Sequence, residues 1–339
     1  MPTNDFLPFA GGSGANVLTQ ADYAALTAIL SNGFSSGVAP SQQVNKVLRQ
    51  ASITSAVLAQ FAVDVTGKNA VDDGTTAALL AMLKSAISAQ SIGVVGQSRN
   101  AKISTGTTAT STVTFTADEV IVESALGGLR YCLASVNKTI NLASVGAGGM
   151  DTGTAPTSGF VGLYLIYNPI TSASALLGVN ATSAAAPEVY GGANMPSGYT
   201  ASALVALLPT NASGQFPSGV YLRNRRVSFF GVNVLSTNTI SAPYLPINMG
   251  SAVPRNATQC SGTLATVSTT NNTVQVITVA VDGGGGGARA LSGPTIITPS
   301  GCSSSFSIDV VTPQTLYYST VAAGSGTPTF TVNISNYEF

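Results

Sequence analysis

The segment Thr329-Phe-Thr-Val-Asn-Ile-Ser335 sets the reading of most of this chain. Phe330, Val332 and Ile334 alternate with Thr329, Thr331, Asn333 and Ser335. This period of two puts apolar side chains on one face of a strand and polar ones on the other. Working outward toward the N-terminus, similar runs recur at Leu316–Val321, Phe306–Val311, Val274–Val281, Val227–Leu235, Val220–Leu222, Leu204–Leu208 and Phe160–Tyr167. Tyr131 with Leu133, Val120 to Val122, and Val113 with Phe115 extend the series. Turns rich in Gly, Pro and Asn separate the runs, as at Leu126-Gly-Gly-Leu129. The spacing predicts antiparallel β-sandwich domains, one over residues 111–250 and a C-terminal one over 251–339. Their boundary is placed near Pro246–Arg255, where a long loop within one domain is an equal reading.

The first ninety residues are written differently. Residues 1–18 form an unpatterned arm with Asp5, Phe6, Leu7 and Phe9 near its start. Such an arm gains little by folding on itself, so its apolar side chains are either docking anchors or packing against the neighbouring helices. Residues 19–90 read as a collar of three helices. Thr19 caps the first, with Tyr23, Leu26 and Leu30 on one face and Asn32-Gly33 as its stop. Ser41 caps the second, which runs to about Val65 and closes at Thr66-Gly67. Its Val44, Leu48, Ala51, Ser55, Leu58, Ala62 and Val65 repeat at alternating four and three residues, a short coiled-coil-like seam. Asp72-Asp73 start the third, with Leu79, Leu80, Leu83 and Ile87 as its apolar side. Residues 91–110 lose all periodicity and read as a linker.

Composition narrows the class. Of 339 residues, 8% are charged against about 25% in an ordinary globular domain. Ser, Thr, Asn, Gln and backbone must therefore solvate the surface. The 36 glycines fit a turn-rich β-protein, often one whose surface is covered by partner subunits. Thirteen basic and thirteen acidic residues balance, which argues against nucleic acid or an anionic membrane as partner. The basic cluster Arg223, Arg225 and Arg226 is too small for a phosphate-binding stripe. No Lys or Arg precedes Lys46, so the basic region of a signal peptide is missing, and no apolar run is long enough to span a bilayer. Cytoplasmic synthesis is expected. Cys132, Cys260 and Cys302 read as buried, reduced thiols, with a Cys260–Cys302 bridge as the alternative.

No motif advertises chemistry. Asp151-Thr152-Gly153 invites comparison with aspartic proteases, but their dyad needs a second such triplet, and Asp282 and Asp309 lack it. Without histidine there is no Ser-His-Asp or Cys-His nucleophile system. Asp118, Glu119 and Glu123 cluster in sequence and read as a solvated strand edge. Gly283 to Gly287 lacks the Lys-Ser/Thr of a phosphate-binding loop and reads as a floppy hairpin tip. No enzyme activity, cofactor or metal is expected.

The strings MPTNDFLPFAGGSGANVLTQADYAAL, GFSSGVAPSQQVNKVLRQASITSAVLAQF and DDGTTAALLAMLKSAI resemble the N-terminal module of bacteriophage tail fibres and receptor-binding proteins of Gram-negative hosts. The segments GGLRYCLASVNKTINLASVGAGGMDTGTAPTSGFVGLYLIYNP and APEVYGGANMPSGYTASALVALLPTNASGQF resemble a β-domain that often accompanies it. The resemblance covers about residues 1–240. It implies an elongated homotrimer in the virion, docked on tail-tip or baseplate proteins through its N-terminus. The β-domains would bind a bacterial surface receptor, lipopolysaccharide or a pilus. An adaptor fibre that carries another protein, or a glycan depolymerase, are the alternatives. Asp5, Phe6, Leu7 and Phe9 are the expected docking residues, and Arg289, Tyr317 and Tyr318 the expected receptor contacts.

Overall fold

The structure is a computed structural model that describes residues 2–89, 93–268, 272–293, 300–324 and 326–339. The chain divides into two compact units, residues 1–92 and 93–339. The protein is mainly β, with N-terminal helices and two antiparallel sheets.

The first unit holds helices α1 (Gln20–Ala24), α2 (Thr27–Asn32), α3 (Ser41–Thr66) and α4 (Ala77–Ala89). The first expected helix is thus two short ones. Thr19 does cap α1, its hydroxyl accepting from the Asp22 amide, but neither α1 nor α2 contains a buried residue to hold a longer rod together. Helix α3 has no internal Gly or Pro and stops where Gly67 takes the left-handed conformation at φ 66°. Its N-cap is Pro40 and not Ser41, whose hydroxyl instead accepts from Asn16 Nδ2. Helix α4 begins later than Asp72-Asp73, because the Asp73 carboxylate accepts from the Thr75 amide and hydroxyl in the preceding turn. Ala59, Ala62 and Val63 of α3 pack on Met82 and Ala86 of α4 around Ala70, with Phe6, Phe61, Val65 and Leu79 at the margin. The C-terminal end of the seven-residue repeat, Ala62 and Val65, is therefore used inside the chain. Leu48, Ala51, Ser55 and Leu58 are exposed, as are Leu80 and Ile87 of α4.

The second unit begins with β1 (Ser98–Arg99), β2 (Lys102–Ser104), β3 (Thr112–Glu123), β4 (Arg130–Asn141), β5 (Phe160–Asn168) and β6 (Ala173–Asn180). It continues with β7 (Ala201–Pro209), β8 (Tyr221–Arg223), β9 (Arg226–Thr237), β10 (Ser241–Asn248) and β11 (Gln259–Ser268). The last strands are β12 (Asn272–Ala280), β13 (Arg289–Gly293), β14 (Ser300–Asp309), β15 (Thr315–Gly324) and β16 (Thr329–Glu338). The larger sheet runs β14-β11-β16-β9-β8-β2-β3-β7-β5-β6, with β1 and β4 also paired to β3; the smaller runs β10-β15-β12-β13. Every strand pair is antiparallel.

Each run picked out by its spacing lies wholly or mostly in a strand, and Val113 through Val122 belong to one strand, β3. Phe330, Val332 and Ile334 are fully buried as their alternation requires, and burial of one such side chain contributes about 2–3 kcal/mol. A register shift between Ile334 and Asn336 then turns Tyr337 inward. Strands β5 and β7 are buried on both faces and read as unbroken apolar runs. One hydrophobic cluster includes Leu163, Phe330 and Leu264 of the larger sheet together with Ile277 and Leu316 of the smaller.

Strands β1 and β2 fall inside the stretch expected to be a linker, whose residues 91 and 92 lie outside the described residues. Strand β9, before Pro246–Arg255, pairs with β16, after it; β10, whose last residues Pro246 to Asn248 lie within that stretch, pairs with β15. The three cysteines are free. Cys260 is buried, which pushes its thiol up to about 12, whereas Cys132 is exposed, contrary to expectation. Cys260 and Cys302 are not bridged: Cys260 sits opposite Ile308, and Cys302 sits opposite Thr266, six residues along β11.

Candidate functional site

The arm is laid along α3. Asp5 N donates to the Ala70 carbonyl at 3.0 Å, and Ala70 N donates to the Thr3 carbonyl at 2.9 Å. Asn4 Nδ2 reaches the Ala56 carbonyl at 3.0 Å, and Phe9 N reaches Ser52 Oγ at 2.8 Å. Asp5 Oδ2 accepts from the Asp72 amide. The four expected docking residues therefore divide. Phe6 packs on the helical cluster, while Leu7 and Phe9 stay 76% and 47% exposed. An arm held by its backbone presents those two apolar side chains from a defined surface.

Arg289, Tyr317 and Tyr318 do not form one face. Val279 is the register partner of both Arg289 and Tyr318, so these three share one face of the smaller sheet, and Tyr318 is buried there. Tyr317 sits opposite Ala280 and points the other way. The Arg289 guanidinium is taken up by the carbonyls of Ser307, Gly287 and Ala288. The glycine run beside it is pinned: Asp282 Oδ1 accepts from Gly284 N at 2.8 Å and Gly286 N at 3.0 Å. Those amides hold the Asp282 carboxyl below its usual range.

The carboxylates are structural too. Glu123 is buried, not on a solvated edge; it accepts from Arg130 Nε at 2.9 Å and from the Gly127 amide at 3.0 Å, closing the β3–β4 hairpin. Asp151 accepts from the Tyr190 hydroxyl at 3.0 Å and from the Thr152 amide, and its own amide bonds to Gly178, which fixes a loop. Glu119 lies beside Cys132 and, after partial burial, helps raise that thiol to about 11.

The arginine cluster is rearranged by the turn between β8 and β9, where Asn224 takes the left-handed conformation at φ 55°. Arg225 leaves the cluster. It clasps Glu188 through two bonds of 2.6 and 3.0 Å, donates to the Phe339 carbonyl at 2.6 Å and stacks over the Phe339 ring at 4.6 Å. Arg223 and Arg226 are direct cross-strand partners, and the register adds Lys102 of β2 opposite Arg223. All three are exposed, and among the described residues none makes a side-chain hydrogen bond or ion pair. Tyr221 and Ser228 form the next pair on the same face. Phe230 comes after them, its ring lying over Gly219, where a β-carbon would collide with it and φ is 70°. Tyr221 and Phe230 are 51% and 74% exposed. Gln97, Tyr221, Arg223, Arg226, Ser228 and Glu338 are among the residues lining an open groove of about 720 Å³. Sequence reading saw the arginines but missed Lys102, 121 positions before Arg223 in the presumed linker; the alternation Lys102-Ile-Ser104 was the available signal.

No protein-family model matches the chain, and no curated protein matches it significantly.

Proposed function

We propose that this chain is a bacteriophage tail fibre that docks on the virion through its helical unit and binds a bacterial surface receptor through its β unit. The observation that carries this reading is the division at residue 92 between a helical unit with an apolar-tipped arm and a large antiparallel β unit. A molecule that attaches by one part and displays another needs such a division. The N-terminal strings, with their likeness to tail-fibre modules, support the same assignment. The acidic side chains Glu123, Asp151 and Asp282 serve hairpins and loops, which favours adhesion over polysaccharide cleavage.

In this reading the fibre is an elongated homotrimer whose two sheets pack as β-sandwich layers. Leu48, Ala51, Ser55 and Leu58, uncovered in a single chain, support a shared helical axis. Three weak receptor sites on one fibre bind avidly together. The receptor is a surface glycan such as lipopolysaccharide, or a pilus. The test is competition: purified full-length chain in excess should coat host cells and block adsorption of the phage. A chain that binds virion proteins at both ends and never cells would instead be an adaptor.

A further inference from the structure

The outer face of β2, β8 and β9 carries three cations that, among the described residues, make no side-chain hydrogen bond or ion pair. Lys102, Arg223 and Arg226 stand side by side on three consecutive strands, a row about 10 Å wide at the usual strand spacing. Like charges placed directly opposite each other weaken a sheet. Their neighbour Arg225 shows how this chain treats a cation it uses structurally: two carboxylate contacts, a carbonyl and a ring. The row has none of these. Beside it on the same face lie Tyr221, Ser228 and Phe230, two open aromatic faces with a hydroxyl between them.

We propose that this row is a binding site for an acidic saccharide, a sugar ring that bears carboxylate or phosphate. The planar guanidinium forks of Arg223 and Arg226 suit either oxyanion in bidentate fashion, with Lys102 adding a third positive charge. A bound anion would relieve the repulsion along the row. The electron-rich faces of Tyr221 and Phe230 suit the weakly positive C–H face of a sugar ring, and Ser228 offers a hydroxyl partner. The groove, about 720 Å³, has the capacity of a small-ligand site. The two ends of the cation row set the size of the anion. Glu338 is the register partner of Arg226 on the far side, and Asp118, hydrogen bonded by Asn100, lies diagonal to Lys102. Carboxylates at both ends favour a compact acidic sugar over a polyanion that continues across the sheet, such as nucleic acid.

This inference rests on reading the β unit as the receptor-binding part, and the experiment separates the two. Full-length chain is titrated calorimetrically with a polyuronate hexasaccharide, a phosphorylated mannose oligosaccharide, a neutral dextran oligosaccharide and a ten-nucleotide single-stranded DNA. At least one acidic saccharide should bind, with affinity falling several-fold between about 50 and 300 mM salt, and dextran should not. The double variant R223Q/R226Q should lose about tenfold or more in affinity, K102Q about threefold, and R223K/R226K should retain part of it. Y221A should lose about fivefold with the salt dependence unchanged. Thermal unfolding of R223Q/R226Q at or above the wild-type temperature shows that the loss is not misfolding. Failure of both acidic saccharides to bind, equal affinity in R223Q/R226Q, or tighter binding of the DNA would overturn the proposal. Cell adhesion by both wild type and R223Q/R226Q, with no saccharide binding, would overturn this site and leave the fibre reading standing. Saccharide binding without cell adhesion would do the reverse.

Discussion

At the scale of single residues, the β unit depends on a few buried groups that sequence pattern alone does not single out. Tyr337 is fully buried and donates its hydroxyl to the Leu207 carbonyl at 2.6 Å, joining the C-terminal strand to β7. Burial holds its phenol well above the ordinary value of 10.0, and the Tyr164 and Tyr190 phenols are raised as well, burial being the main cause. The folded state keeps these groups neutral, while the unfolded chain releases their protons near pH 10. Their contribution is therefore whole below about pH 10 and is lost as pH rises further. Y337F should cost about 1–2 kcal/mol at pH 7, because the Leu207 carbonyl is left without its donor. Its stability should also fall less steeply than wild type above pH 10, as denaturant titrations across that range will show. Gly262 is a second such point. It sits at the register shift of β11 against β16, and a β-carbon there would overlap the Asn333 carbonyl. G262A should lower stability by about 2 kcal/mol or more in urea unfolding, since backbone must move to admit it.

At the scale of elements, the exposed stripe of α3 separates what one chain needs from what an assembly would need. Ala59, Ala62 and Val63 meet α4, whereas Leu48 and Leu58 stay about half exposed in their own chain. On the trimeric reading proposed above, wild type should scatter light as a trimer, and L48D/L58D should leave the helices folded by circular dichroism while reducing that mass to a monomer. A trimer mass in the variant would place the shared interface elsewhere. Strands were legible where inward positions are apolar, as in β16, β5, β7 and β15. Strand β11 escaped because its inward positions are Cys260, Gly262, Leu264, Thr266 and Ser268, a face too polar to register as a period of two. Strand β10 escaped because its end, from Pro246 on, read as loop. It lies at the edge of the smaller sheet, with Pro243 in the irregular stretch between Ser241 and Leu245, and at such places a missing amide is tolerated. Strand register, which sequence spacing does not carry, brings Lys102 to Arg223 and puts Arg289 and Tyr317 on opposite faces.

At the scale of the whole molecule, the division near residue ninety was legible because periodicity and composition both change there. The arm's placement was not, since its hold on α3 and on the segment after it runs mostly through backbone groups and Asn4, Ser52 and Ala70, which no hydrophobic pattern marks. That placement makes Leu7 and Phe9 the side chains to test for docking, because replacing them leaves the Phe6 packing and the arm's hydrogen bonds in place. The most direct measurement compares phage produced with wild-type chain and with L7D/F9D, quantifying the chain in purified particles by mass spectrometry and its free form on host cells by fluorescence. The fibre account predicts that L7D/F9D is depleted at least about tenfold from particles, as expected for charges placed in an apolar contact, while the free variant still coats cells as wild type does. Equal incorporation of the variant, or a free wild-type chain that never binds the cells the phage adsorbs to, would contradict it.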